Sequence, residues 1–280
     1  MGVKIVTDST SDLTPALAKE FGISVVPLTV SFGRESFLDR VEISTDEFYR
    51  RLAAEEIFPH TTQPSPNAFL NVYKKLCGDA DGVLVITISK KLSGTFDSAV
   101  SAAQLLEKPS CRIEVVNSEV TAAALGLLAI WAAKKAAAGL GLDELKKAVT
   151  EQAACTKPVM AFDTLKYLAR GGRIGKAQGL LGSLLSVKPV LTMSDGQVAP
   201  LTRVRSMNAA IDVLYNFAAG HRQIDEMAVE YATTPEMADA LIDRLSDLHP
   251  RERIYRTTVS PVLGAYMGPS VLSVSVMGKT

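Results

Sequence analysis

Hydroxyl groups crowd into three short stretches of this chain: Asp8-Ser9-Thr10-Ser11-Asp12, Thr61-Thr62-Gln63-Pro64-Ser65 and Ser93-Gly94-Thr95. Hydroxyls and free backbone N–H groups where a strand hands over to a helix can hold a small anionic head group. Any one such stretch reads equally as helix capping, and Ser65-Pro66 is a well-formed cap and first-turn pair. Nucleophilic catalysis asks for a serine beside a base. Of the three histidines, His60, His221 and His249, only His60, next to Thr61, falls near one of these turns. Ser93 does not sit in a GxSxG elbow, since position 91 is Lys. Binding is therefore favoured over catalysis. A Ser93-dependent hydrolase and a sensor of a small anionic metabolite are the alternatives.

A second cluster is Phe162 to Gly175, FDTLKYLARGGRIG. Asp163 is expected to cap a short helix with Leu165 and Leu168 on one face, and Gly171 to end it at positive φ. Arg173 and Lys176 follow on a glycine-rich backbone. The cluster is not a phosphate loop, because position 170 is Arg and Ala177 follows Lys176. No GxGxxG follows a strand, and HExxH and paired Cys/His spacings are absent, so no dinucleotide, metal or other resident cofactor is expected. Thirty basic residues balance thirty acidic ones, which removes any general attraction to nucleic acid or anionic membrane. Cys77, Cys111 and Cys155 are scattered, odd in number and without CxxC spacing, which argues against a disulfide framework and a zinc site and fits a reducing cytoplasm. Val120 to Ala133 is apolar but is closed by Lys134 and Lys135, too short for a stable membrane insertion.

The elements that must position these groups alternate strand and helix through the first half. Val3–Thr7, Ser24–Phe32, Val83–Ser89 and Arg112–Asn117 read as strands, with helices opened by Thr14-Pro15, Ser44 and Ser65-Pro66. That pattern is an α/β domain with a parallel sheet and flanking helices, over residues 1–160. Open sheets of this kind bind ligands at the carboxyl ends of their strands, where all three hydroxyl-rich turns fall. The polar connection Gly33–Glu42 carries Asp39 and Arg40. Past the cluster the style changes. Gly179 and Gly182 mark an apolar helix, and Val187–Met193, Asp195-Gly196 and Val198–Arg205 read as a hairpin, so residues 161–280 form an α+β domain with a mixed or antiparallel sheet.

Six blocks in this order, TDSTSD (7–12), TTQPS (61–65), LSGT (92–95), DTLKYLARGGRIG (163–175), VKPVL with DG (187–196) and GAYMGP (264–269), resemble the bacterial DegV family over nearly the whole chain. The resemblance implies a two-domain fatty-acid-binding protein, the lipid-carrying subunit of fatty acid kinase, with no catalytic residues or cofactor of its own. The ligand would be a fatty acid such as palmitate, stearate or oleate in a tunnel between the domains. A separate ATP-binding kinase subunit would convert it to an acyl phosphate. Residue by residue, Thr61 and Ser93 match hydroxyls that meet the carboxylate, within turns that also hold Thr62, Gly94 and Thr95, and Arg205 matches a basic residue beside it. Tyr266 stands where the family usually has His, and offers a neutral hydrogen-bond donor. Arg173, Asp39 and Arg40 are expected to serve partner docking, and Val120–Trp131 and Leu180–Leu185 to wall the tunnel.

Overall fold

The computed structural model describes residues 2–106, 111–181 and 187–279. The first half runs β1 (Val3–Asp8), α1 (Pro15–Glu20), β2 (Ile23–Val26), β3 (Thr29–Phe32), β4 (Glu35–Leu38), α2 (Thr45–Ala54), β5 (His60–Thr62), α3 (Pro66–Leu76), β6 (Gly82–Thr87), α4 (Thr95–Gln104), β7 (Arg112–Asn117), α5 (Ala122–Ala137) and α6 (Leu142–Ala154). Side-chain caps set several helix starts: Thr14, Ser44 and Ser65 accept the N–H groups of Leu17, Glu47 and Ala68. Strands β2-β1-β6-β7 make a fully parallel sheet. Strand β6 is buried along its whole length because both of its faces are covered. Val83 and Val85 pack with Phe69 and Tyr73 of α3, while Leu84 and Ile86 join the cluster built on α5.

The strand predicted over Ser24–Phe32 is broken at Pro27, which has no N–H to give a ladder. Leu28 donates its own to Ser9 Oγ at 3.0 Å, and the chain passes into a separate antiparallel sheet, β4-β3-β5. The polar connection after it therefore contains β4.

The second half runs β8 (Thr156–Ala161), α7 (Lys166–Arg170), β9 (Lys188–Ser194), β10 (Gln197–Val204), α8 (Met207–Ala219), β11 (Gln223–Tyr231), α9 (Pro235–Leu245), β12 (Ile254–Thr258), α10 (Pro261–Met267) and β13 (Leu272–Lys279). Its mixed sheet has the order β10-β9-β8-β13-β11-β12, with only β11 and β12 parallel. One face packs on α8 and α9, the other on α5. Helix α5 thus lies between the two sheets, meeting β1 on one side and β8, β11 and β13 on the other, which is why it is apolar almost all round. The α/β half followed by an α+β half is as the sequence predicts, but β8 starts the second sheet at Thr156, ahead of the boundary expected after residue 160.

Two expectations change. Cys77 and Cys111 form a disulfide, because α3 ends beside the start of β7 and brings their Cα atoms to 5.1 Å; only Cys155 is a free thiol. Scattered spacing in sequence was no guide to spacing in the fold, and the cysteines no longer favour a reducing compartment. Residues Gly175–Leu180 form a 3-10 turn where an apolar helix is predicted, and Gly182 and most of the wall expected over Leu180–Leu185 lie outside the described residues. No helix among the described residues is long and apolar enough to cross a membrane.

Candidate functional site

A cavity of about 170 Å³ opens between the two halves. That is roughly ten times what one water requires. Its lining is sorted by depth. The partly exposed positions are mainly polar, Thr61 and Thr62 on β5, Ser93 after β6, Arg173 after α7 and Tyr266 on α10. The buried ones are chiefly apolar, including Leu28 and Ile88 from the first half and Met160, Phe162, Val262 and Met267 from the second. The arrangement suits a molecule with one polar end and a long apolar remainder.

At the mouth the hydroxyls of Thr61 and Tyr266 lie 2.5 Å apart. The Arg173 guanidinium sits 5.1 Å from the centre of the Tyr266 ring, and is steered there by bonds from Nε to Leu92 O at 3.2 Å and from Nη1 to Gly171 O at 2.9 Å. Ser93 Oγ is 2.9 Å from Thr95 Oγ1. Thr95 is buried and Gly94 forms the N-cap of α4, so within this turn it is Ser93, with Leu92, that lines the cavity. A Cβ on Gly94 would come within 2.6 Å of the Gln63 amide, so glycine lets the second and third hydroxyl turns touch. The first turn contributes only Thr10. Its neighbour Asp8 is engaged internally, taking the Thr10 hydroxyl at 2.5 Å and, from just past β6, the Ile88 N–H at 2.9 Å. Burial pushes the Asp8 carboxyl up to about 6.

The glycine-rich cluster is built differently from the sequence reading. Asp163 pairs with Lys188 instead of capping α7, whose first turn is held by Thr164 Oγ1 accepting the Lys166 N–H at 3.1 Å. Gly172, at φ +71°, turns the chain; Gly171 is helical and makes room for Tyr266, whose ring fills the place of its Cβ. Gly268, just past α10, in turn leaves its own Cβ position to the ring of Tyr167, so α7 and α10 interlock through two glycine–tyrosine contacts.

The expected charged residues are redistributed. Arg205 lies past the end of β10, exposed and outside the cavity lining, whereas Arg173, expected to serve docking, stands at the mouth. Asp39 is 1% exposed and Arg40 is turned inward, bonded to Leu13 O and Thr258, so neither is presented as a docking charge. Their loop is pulled in because Asp39 N–H bonds Leu28 O and its carboxylate reaches α10. Among the described residues no histidine lines the cavity, and no group of three or more His, Cys, Asp or Glu converges on a metal site. Met160, Val262 and Thr121, which do line it, carry no local signal of their role, since each reaches the cavity only through the packing of the halves.

Fold and cavity together define a two-domain α/β protein with an amphiphile-shaped pocket at the junction of its sheets. The chain belongs to the DegV family (COG1307), whose model matches residues 2–279. A DegV domain-containing protein of Streptomyces coelicolor is 40% identical to it over 283 residues, 99% of each chain. A fatty-acid-binding DegV family protein of Thermus thermophilus superposes with a TM-score of 0.91 at 31% identity, covering 99% of this chain and 100% of the other. DegV of Bacillus subtilis, also a fatty-acid-binding protein, gives 0.90 at 28% identity with full coverage of both chains. A stearic-acid-binding protein of Eubacterium ventriosum gives 0.90 at 25%, covering 99% and 98%.

Proposed function

We propose that this chain holds a long-chain fatty acid, its tail in the cavity and its carboxylate among Thr61, Ser93, Tyr266 and Arg173. The observation that carries this reading is the sorting of the cavity lining, polar where exposed and apolar where buried, in a fold shared with fatty-acid-binding relatives. At about 0.8 kcal/mol per buried CH₂, roughly 15 methylenes make on the order of 12 kcal/mol available. One charge-assisted hydrogen bond adds about 1.5 to 3 kcal/mol. Affinity then comes mainly from the tail, while the mouth sets which end faces out. A carboxylate presented there suits a carrier that offers it to a separate ATP-binding kinase for acyl phosphate formation, with the exposed Arg173 within reach of both ligand and partner.

Native mass spectrometry of freshly purified protein tests the binding step. The expected spectrum shows one long-chain fatty acid per chain, released on denaturation. A ligand-free protein that also fails to take up palmitate in calorimetry would refute the reading. For the presentation step, Arg173→Ala is expected to slow acyl phosphate formation by a purified kinase subunit, and an unchanged rate would remove Arg173 from it.

A further inference from the structure

Behind the cavity, the junction of the halves buries four carboxyl groups, Asp8, Asp12, Asp39 and Glu230, each at most 1% exposed, beside the guanidinium of Arg40. Two of them grip chain that shapes the cavity. Asp12 Oδ1 accepts the Ser260 N–H at 3.0 Å and Asp39 Oδ1 the Val262 N–H at 3.4 Å, both at the start of α10, the helix that brings Val262, Leu263, Tyr266 and Met267 to the cavity. Arg40 binds Thr258, just ahead of that helix. From the mixed sheet, Glu230 accepts the Ser273 hydroxyl through Oε2 at 3.1 Å and faces Asp12 across the junction. Among the described residues, Asp12 Oδ2 and Glu230 Oε1 are left with no donor. One proton held between the two carboxyl groups would satisfy both oxygens.

We propose that a proton shared by Asp12 and Glu230 keeps α10 seated on both halves, so that the cavity holds its acyl ligand more tightly while that proton is bound than after it is lost at higher pH. This rests on the fatty-acid reading given above. Without the proton, two buried carboxylates repel across the turn after β1 and strand β11, with Arg40 only 3.9 Å from one of them to offset the charge. The other groups facing the pair are Asp8, Asp39 and Tyr49, whose hydroxyl donates to Val259 O at 3.3 Å. Burial pushes the Asp12 carboxyl well above the usual range, with Glu230 adding to the effect, and it raises Glu230 and Asp39 as well, the latter to about 7. None of Asp12, Asp39 and Glu230 lines the cavity, so they act as positioning residues through α10.

The test is the affinity for dansyl-labelled undecanoate between about pH 6 and 8.5, where the probe's own carboxylate is already ionised. Glu230→Gln and Asp12→Asn each supply a permanent donor in place of the proton. The wild-type affinity is expected to fall about tenfold across this range, and that of Glu230→Gln to stay within about twofold of the acid value. A variant profile that tracks the wild type overturns the proposal. Probe binding absent at every pH would instead sink the fatty-acid reading beneath it. If neither variant folds, a wild-type affinity that is flat with pH still overturns the proposal.

Discussion

With the hydroxyls of Thr61 and Tyr266 only 2.5 Å apart, one of them donates to the other, and a single proton of the two is left to point at a ligand. If Thr61 donates, the Tyr266 hydroxyl is the outward donor, held in place by the Arg173 guanidinium over its ring. Tyr266→Phe keeps the ring and the Gly171 contact while removing that donor. Palmitate is then expected to bind about 1.5 to 3 kcal/mol more weakly, with palmitate methyl ester little affected. Calorimetry of the two ligands decides, and equal losses for both would leave Tyr266 a purely steric role. Arg205→Ala, outside the cavity, serves as the neutral comparison.

Among the elements, α5 is the layer between two sheets and touches both. Its approach to the turn after β1 depends on Gly126, where a Cβ would stand 2.5 Å from Ser11 O and 3.2 Å from a Leu13 methyl. Backbone cannot yield as a side chain does, so Gly126→Ala is expected to cost about 1 to 3 kcal/mol through overpacking, despite the better helix propensity of Ala. Urea denaturation measures it. A variant as stable as the wild type would show that α5 can slide on the turn without penalty.

At the scale of the whole molecule, the buried acids tie stability to pH. Burial lifts Asp8 from 3.8 to about 6 and Asp39 from 3.8 to about 7. The folded chain therefore holds these protons more firmly than the unfolded chain. Their contribution is complete below about pH 4 and is lost as pH rises through the folded values. At about 1.4 kcal/mol per unit and group, the unfolding free energy should fall by roughly 4 kcal/mol between pH 5 and 8 from these two groups. His249 works against them: burial lowers it from 6.5, so its contribution is lost as pH falls. Denaturant midpoints over this range give the answer, and a midpoint that climbs toward pH 8 would contradict the assignment of buried neutral acids.

The amino-acid sequence by itself determined the features that rest on short-range chemistry. The apolar run VLVIT, caps at Thr14, Ser44 and Ser65, and the turn at Asp195-Gly196 each act within a few residues, so β6, the three helix starts and the hairpin of β9 and β10 were legible before any contact was known. Ser93 could be picked out for the same reason, in a turn after a strand, and Thr61 as part of a motif, although Thr61 lies within β5 of the antiparallel sheet and not in the turn expected there. Only the tertiary structure decided what depends on burial and on distance between remote segments. It brought Arg173 to the cavity and left Arg205 outside, drew Asp39 and Arg40 into the junction, and joined Cys77 to Cys111. A charge or a thiol reads the same in a linear chain whether it meets water or another side chain. Its role is fixed by which atoms desolvate it, and that is a property of the packed halves.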